Sequence, residues 1–191
     1  MYSNKTVNKE LKTIISQFKD SYNMICDSSR AEYMKTLRPG AQIPREGTIY
    51  GEESKAEFDS MCSGYREKAR KILDGVVSDL KVRLTDAPSA EAVNAISLLN
   101  MRKNVTREEV EDLLGRYGDN PQAWRTIASI ASEHGVRGIG ESATEEQYRE
   151  VLGVRNSLER TLYPSYAMAG HAESGYLSML GAHIDRVFPA E

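Results

Sequence analysis

Residues 7–25 read VNKELKTIISQFKDSYNMI, and residues 58–84 read FDSMCSGYREKARKILDGVVSDLKVRL. In the first stretch Val7, Leu11, Ile14, Ile15, Phe18, Tyr22 and Ile25 follow one another mostly by three or four residues. That spacing places side chains on one stripe of an α-helix. Lys9, Glu10, Lys12, Gln17, Lys19, Asp20 and Asn23 fall between them and are free to face water. No proline intervenes before Pro39, so the helix can continue through Tyr33 to Leu37. The second stretch repeats the pattern with Phe58, Met61, Cys62, Tyr65, Ala69, Ile72, Leu73, Val76, Val77, Leu80 and Leu84. Each arm is about 30 residues, hence about 45 Å long at 1.5 Å per residue. A helix of that length with one apolar side needs a partner, and the natural one is the other arm. The spacing therefore predicts an antiparallel helical hairpin over residues 1–85 with its loop at 37–51.

Folding the chain back near residue 43 pairs Val7 with Leu80, Leu11 with Val76, Ile15 with Ile72, Phe18 with Ala69, Tyr22 with Tyr65 and Ile25 with Cys62. Cys26 and Cys62 then sit at nearly one level. Two seams of alternating three- and four-residue spacing can be mirrored about centres that recur every 3.5 residues or so. The stripe alone therefore offers several registers.

The loop contains Arg38, Ile43, Arg45, Ile49 and Tyr50 among Pro39, Gly40, Pro44 and Gly47. It is longer than closure of a helical hairpin requires. Its apolar and cationic mixture suits docking on a protein partner, and these five residues are the candidate partner-binding set. In the other reading the apolar residues fold down as a cap on the end of the hairpin.

After Leu84 the pattern shortens. Ser89 is a candidate N-cap for a helix with Val93, Ile96, Leu99 and Met101 inward. Thr106-Arg107-Glu108-Glu109 has the capping-box form and opens a helix with Val110, Leu113, Leu114 and Tyr117. Asn120 followed by Pro121 starts a third, with Trp124, Ile127, Ala128, Ile130 and Ala131 on its buried face and a stop at Gly135 in a left-handed turn. Residues 86–135 thus form a three-helix unit. A helix-turn-helix reading would display Gln122, Arg125, Ser129 and Ser132. Against it stand five Lys/Arg facing eight Asp/Glu in that span, a balance that repels phosphates. Nucleic-acid binding is therefore the weaker alternative.

Residues 136–191 supply the C-terminal helices. Thr144-Glu145-Glu146-Gln147 has a second capping-box form and precedes Tyr148, Val151, Leu152, Val154, Leu158 and Leu162, stopped by Pro164. The following segment interleaves small residues with Tyr176, Met179, Leu180 and Ile184. These four form either a close-packing face of the bundle or a self-association face. The fold class is all-α, a long antiparallel helical hairpin followed by a bundle of about five shorter helices.

The chain has 191 residues, a net charge of −3 and two cysteines. Residues 1–50 hold eight Lys/Arg against five Asp/Glu, while residues 136–191 hold five against eight. That asymmetry can steer assembly but gives no global drive toward nucleic acid or an acidic membrane. Two cysteines, and no basic-then-apolar leader at Met1-Tyr2-Ser3-Asn4-Lys5, point to a reducing, cytoplasmic setting. No apolar run spans a bilayer, so no membrane partner is expected. His134, His171 and His183 are scattered, without metal-ligand spacing, and Gly135-Val136-Arg137-Gly138-Ile139-Gly140 lacks the lysine and preceding strand of a phosphate loop. No cofactor, metal or catalytic residue is expected.

The residues point to a non-enzymatic, scaffold-like component of protein assembly, possessing a protein partner that is either itself, as a homo-oligomer, or heterologous. Helical chains of this kind occur among accessory components of bacteriophages and other mobile elements. An alternative is a small inhibitor or adaptor that binds a host macromolecule such as a nuclease complex.

Overall fold

A computed structural model of the chain describes residues 3–38, 40, 50–163 and 175–190. The described residues form seven helices and no strand: α1 (Asn4–Thr36), α2 (Glu52–Thr85), α3 (Ala90–Asn100), α4 (Arg107–Tyr117), α5 (Pro121–Glu133), α6 (Ala143–Thr161) and α7 (Gly175–Val187). The all-α expectation of two long helices followed by five shorter ones holds. Among the described residues no helix is long and apolar enough to cross a membrane. The chain divides into two compact units, residues 1–75 with 151–191, and residues 76–150, and α2 and α6 each contribute to both.

In the first unit α1 starts at an N-cap, the Ser3 side chain accepting from the Thr6 amide. Its stripe of Val7, Leu11, Ile14, Phe18, Tyr22 and Ile25 is buried, as are Phe58, Cys62, Ala69 and Leu73 of α2. Burying a side chain such as Phe18 or Phe58 stabilises by about 1.5–3 kcal/mol. The arms run antiparallel, but in a register different from the pairing centred near residue 43. Phe18, not Tyr22, meets Tyr65, edge to face at 5.8 Å between ring centroids. Tyr22 packs on Phe58 at 5.8 Å. Ser29 and Ser54 share a buried hydrogen bond of 2.7 Å. The Tyr65 hydroxyl lies 2.9 Å from Ser21 Oγ and donates to the Gln17 carbonyl at 3.1 Å. Relative to the expected pairing, the seam has slipped by about half a heptad, one of the steps that a three-four apolar stripe leaves open. These contacts place Cys26 and Cys62 at different levels, and both are free thiols.

The remaining walls of this unit come from α6 and α7. Val151, Val154, Leu158, Leu177, Leu180, Ile184, Val187 and Phe188 are buried. Asn8, itself buried in α1, donates to the Phe188 carbonyl at 2.7 Å and to Asp185 Oδ1 at 2.9 Å, tying α1 to the end of α7. Lys12 adds an ion pair to Asp185 at 2.6 Å. Arg70 to Glu159 at 3.1 Å and Arg155 to Asp74 at 3.2 Å link α2 with α6.

The second unit has its own core of Ile96, Leu99, Val105, Val110, Ala123, Ile127, Ile130 and Ala131, with Leu113, Leu114 and Tyr117 packed against it. Ser89, Thr106 and Asn120 are the N-caps of α3, α4 and α5, and Thr106 with Glu109 forms the full capping box. Gly135 has φ +79°, the left-handed stop after α5. Two expectations need correction. The stripe that α3 turns inward is Ala92, Ile96 and Leu99, which leaves Val93 and Met101 exposed. The box opening α6 is Ser142 with Glu145: Ser142 Oγ accepts from the Glu145 amide at 3.3 Å, and Glu145 accepts from the Ser142 amide at 2.9 Å. Both four-residue windows satisfy the pattern, but Thr144 is buried in the first turn.

Two outcomes follow from this packing. With Cys26 replaced by Ser and Cys62 by Ala, a Ser29→Cys, Ser54→Cys pair should form a disulfide within one monomer on oxidation, detectable by non-reducing mass analysis. Only intermolecular links would contradict the register. A Cβ on Gly118 would press on the Leu114 carbonyl and lie 2.8 Å from Trp124 Cε3. Gly118→Ala should therefore destabilise the second unit by about 1–3 kcal/mol, read from Trp124 fluorescence in denaturant.

Candidate functional site

Two open grooves that share Lys68 lie along the hairpin between α1 and α2 and together make a furrow, all of it within the first unit. Near the start of α1 it is a groove of about 700 Å³ over buried Ile14 and half-buried Ile72. Lys5, Lys9, Lys68 and Lys71 flank it, and Glu10 is the carboxylate among its lining residues. Lys68 also lines a second groove of about 470 Å³, where Met24, Ile25, Met61 and Gly64 meet with Glu57 at the edge. Tyr65 stands between the helices there, with the Lys68 ammonium 5.0 Å from its ring centroid. Tyr65 is held by its hydroxyl on α1, so the furrow's shape is set by the hydrogen bonds that set the register.

The four lysines project because each lies beside the buried stripe of its helix and not within it. Among the described residues, no carboxylate lies within ion-pair distance of any of them. Lys5 and Lys9 are four apart, and Lys68 and Lys71 three apart, spacings at which like charges repel. The sequence signal that could have found the groove was this pairing of like charges beside both apolar seams.

The loop proposed as a docking surface divides. Ile43, Arg45 and Ile49 lie outside the described residues. Arg38 is exposed. Tyr50 is buried: its ring packs edge to face on Phe58 at 5.1 Å, and its hydroxyl lies 3.3 Å from Cys26 Sγ. That residue closes the hairpin as a cap and is not available as an exposed docking group. The α7 set divides too. Tyr176 and Met179 are 46% and 70% exposed, whereas Leu180 and Ile184 are buried in the first unit. Tyr176 and Met179 border a further groove of about 780 Å³, with Ser157, Arg160 and Thr161 of α6 on its other wall.

On α5, Arg125 pairs with Glu145 at 2.5 Å and Gln122 donates to the Leu84 carbonyl at 3.1 Å, so two of the four residues on a would-be recognition face are engaged within the second unit. His171 lies outside the described residues. Among the described residues, no group of three or more His, Cys, Asp or Glu is placed to hold a metal. Burial pushes the Cys62 thiol up to about 11, which keeps it protonated and unreactive near neutral pH.

No protein-family model matches the chain, and neither the curated proteins nor the solved structures give a match.

Hydrogen bonds from Asn8 and Lys12 hold the Asp185 carboxyl below its ordinary range. A carboxylate depressed in the folded state contributes stability above its unfolded pKa and loses it as pH falls through the folded value. Asp185→Asn should therefore show a smaller drop in melting temperature than the wild type when the pH is lowered from about 6 to about 3. An equal drop in both proteins would contradict the Asp185 tie between α1 and α7.

Proposed function

We propose that the protein is a non-enzymatic, scaffold-like component that works by protein–protein contact and assembles with itself through α7. The supporting observation is the placement of methionine. Met24, Met34, Met101 and Met179 are 68%, 47%, 76% and 70% exposed, and Met61 is half-buried. Methionine ordinarily ranks among the buried residues. Displayed on a surface, its flexible thioether side chain adapts to the contours of a partner. Tyr176 beside Met179 adds an aromatic of the kind that anchors interfaces.

A heterologous adaptor or inhibitor is the second reading, supported by the exposed Arg38 and by Lys5, Lys9, Lys68 and Lys71, which have no carboxylate within ion-pair distance among the described residues. DNA binding draws less support, because Arg125 and Gln122 are engaged within the second unit.

Self-assembly predicts that the sedimentation coefficient rises over roughly a hundredfold concentration range, and that Tyr176→Glu with Met179→Glu removes the rise. A monomer across the whole range would contradict self-assembly and leave the heterologous reading in place.

A further inference from the structure

The hairpin furrow has a chemistry that α7 does not explain. Its first groove lies over Ile14 and Ile72, with Lys5, Lys9 and Glu10 on α1 and Lys68 and Lys71 on α2 around it, and its second, beyond Tyr65, lies over Ile25 and Met61. From Lys5 to Ile25 it extends about 30 Å, the length of a five- to six-turn helix. Elsewhere the helices set opposite charges at three- or four-residue spacing, as in Arg107 with Glu111, Arg116 with Asp112 and Lys55 with Glu52. Here the same spacing holds like charges without a carboxylate partner among the described residues.

We propose that this furrow receives an acidic amphipathic helix of a heterologous protein. Apolar side chains of such a helix would lie on Ile14, Ile72 and Met61, while its carboxylates reach the four ammonium groups. The alternation of an apolar floor and cationic rims suits that occupant on both counts. A nucleic-acid strand fits less well: beyond Tyr65 the furrow offers Met24, Ile25 and Met61 with the Glu57 carboxylate, which gives a phosphate chain nothing to follow. Charge complementarity sets the encounter rate and orientation, and the apolar floor supplies burial.

The site is separate from the α7 face, so the two proposals fail separately. The test uses the full chain and a fluorescein-labelled amphipathic peptide of about 18 residues, long enough for roughly five turns, built from glutamate, alanine and leucine. Fluorescence anisotropy should show saturable binding that weakens as salt rises. Lys9→Glu with Lys71→Glu should weaken it at least about tenfold. Thr13→Trp, which fills the groove and leaves every lysine in place, should weaken it as well. The Tyr176→Glu, Met179→Glu protein should bind like the wild type. A peptide with lysine in place of glutamate should not bind. Far-UV circular dichroism confirms that each variant remains helical, since Lys9, Lys71 and Thr13 are all exposed. Absence of saturation with the acidic peptide, equal binding by the charge-reversed protein, or tighter charge-dependent binding of a single-stranded oligonucleotide would each overturn the proposal.

Discussion

The hydroxyl of Tyr65 decides where the two long helices meet. Its ring lies against Phe18 and its oxygen reaches across to Ser21 and to the Gln17 carbonyl. Nearer the loop, Ser29 and Ser54 satisfy each other in a buried site. An apolar seam can slide by half a heptad and still match apolar to apolar, but a slide of that size would strand these hydroxyls. For the buried serine pair the loss of a partner costs about 1–3 kcal/mol, enough to favour one register over its neighbours; the half-buried Tyr65 hydroxyl can turn to water and adds less. Among the described residues no buried side-chain nitrogen or oxygen lacks a partner. The seam therefore contributes cohesion, while a few polar atoms contribute specificity.

That division of labour explains what could be read from the sequence. The helical stripes of α1 and α2, the caps at Ser89, Thr106 and Asn120 and the left-handed Gly135 were legible, because each rests on local spacing or local chemistry. The register was not, because the periodic stripe is degenerate and Tyr65 reads as one more apolar seam residue until its hydroxyl acceptors are located. Val93 and Met101 were misplaced for a related reason: α3 is short, and a stripe through Ala92 competes with one through Val93 over so few turns. In the loop, Tyr50 has the composition of a docking residue, yet its ring completes the aromatic cluster on Phe58.

The candidate site follows from the same geometry. Once the register is set, Lys5 and Lys9 face Lys68 and Lys71 across one groove, and Met24 lies near Met61 across the next. A half-heptad slip would pair different residues across the furrow and change both its floor and its charge. No single residue in it carries a motif. Its chemistry exists only in the pairing of the two helices, which is why reading either arm alone missed it. On α7, packing takes Leu180 and Ile184 inward and leaves Tyr176 and Met179 outside, so one helix contributes to the core and to the surface.

The claim that polar contacts fix the register is tested most directly by the distance between spin labels at exposed Ser16 and Glu53, several turns apart along the hairpin, measured with both native cysteines replaced. With Ser29, Ser54 and Tyr65 intact, one narrow distance distribution is expected. With Ser29→Val, Ser54→Val and Tyr65→Phe combined, the distribution should broaden or shift by about 4 Å, most of a slide of one helical turn. The same narrow distribution in both proteins would show that the apolar seam alone sets the register, and would contradict the account.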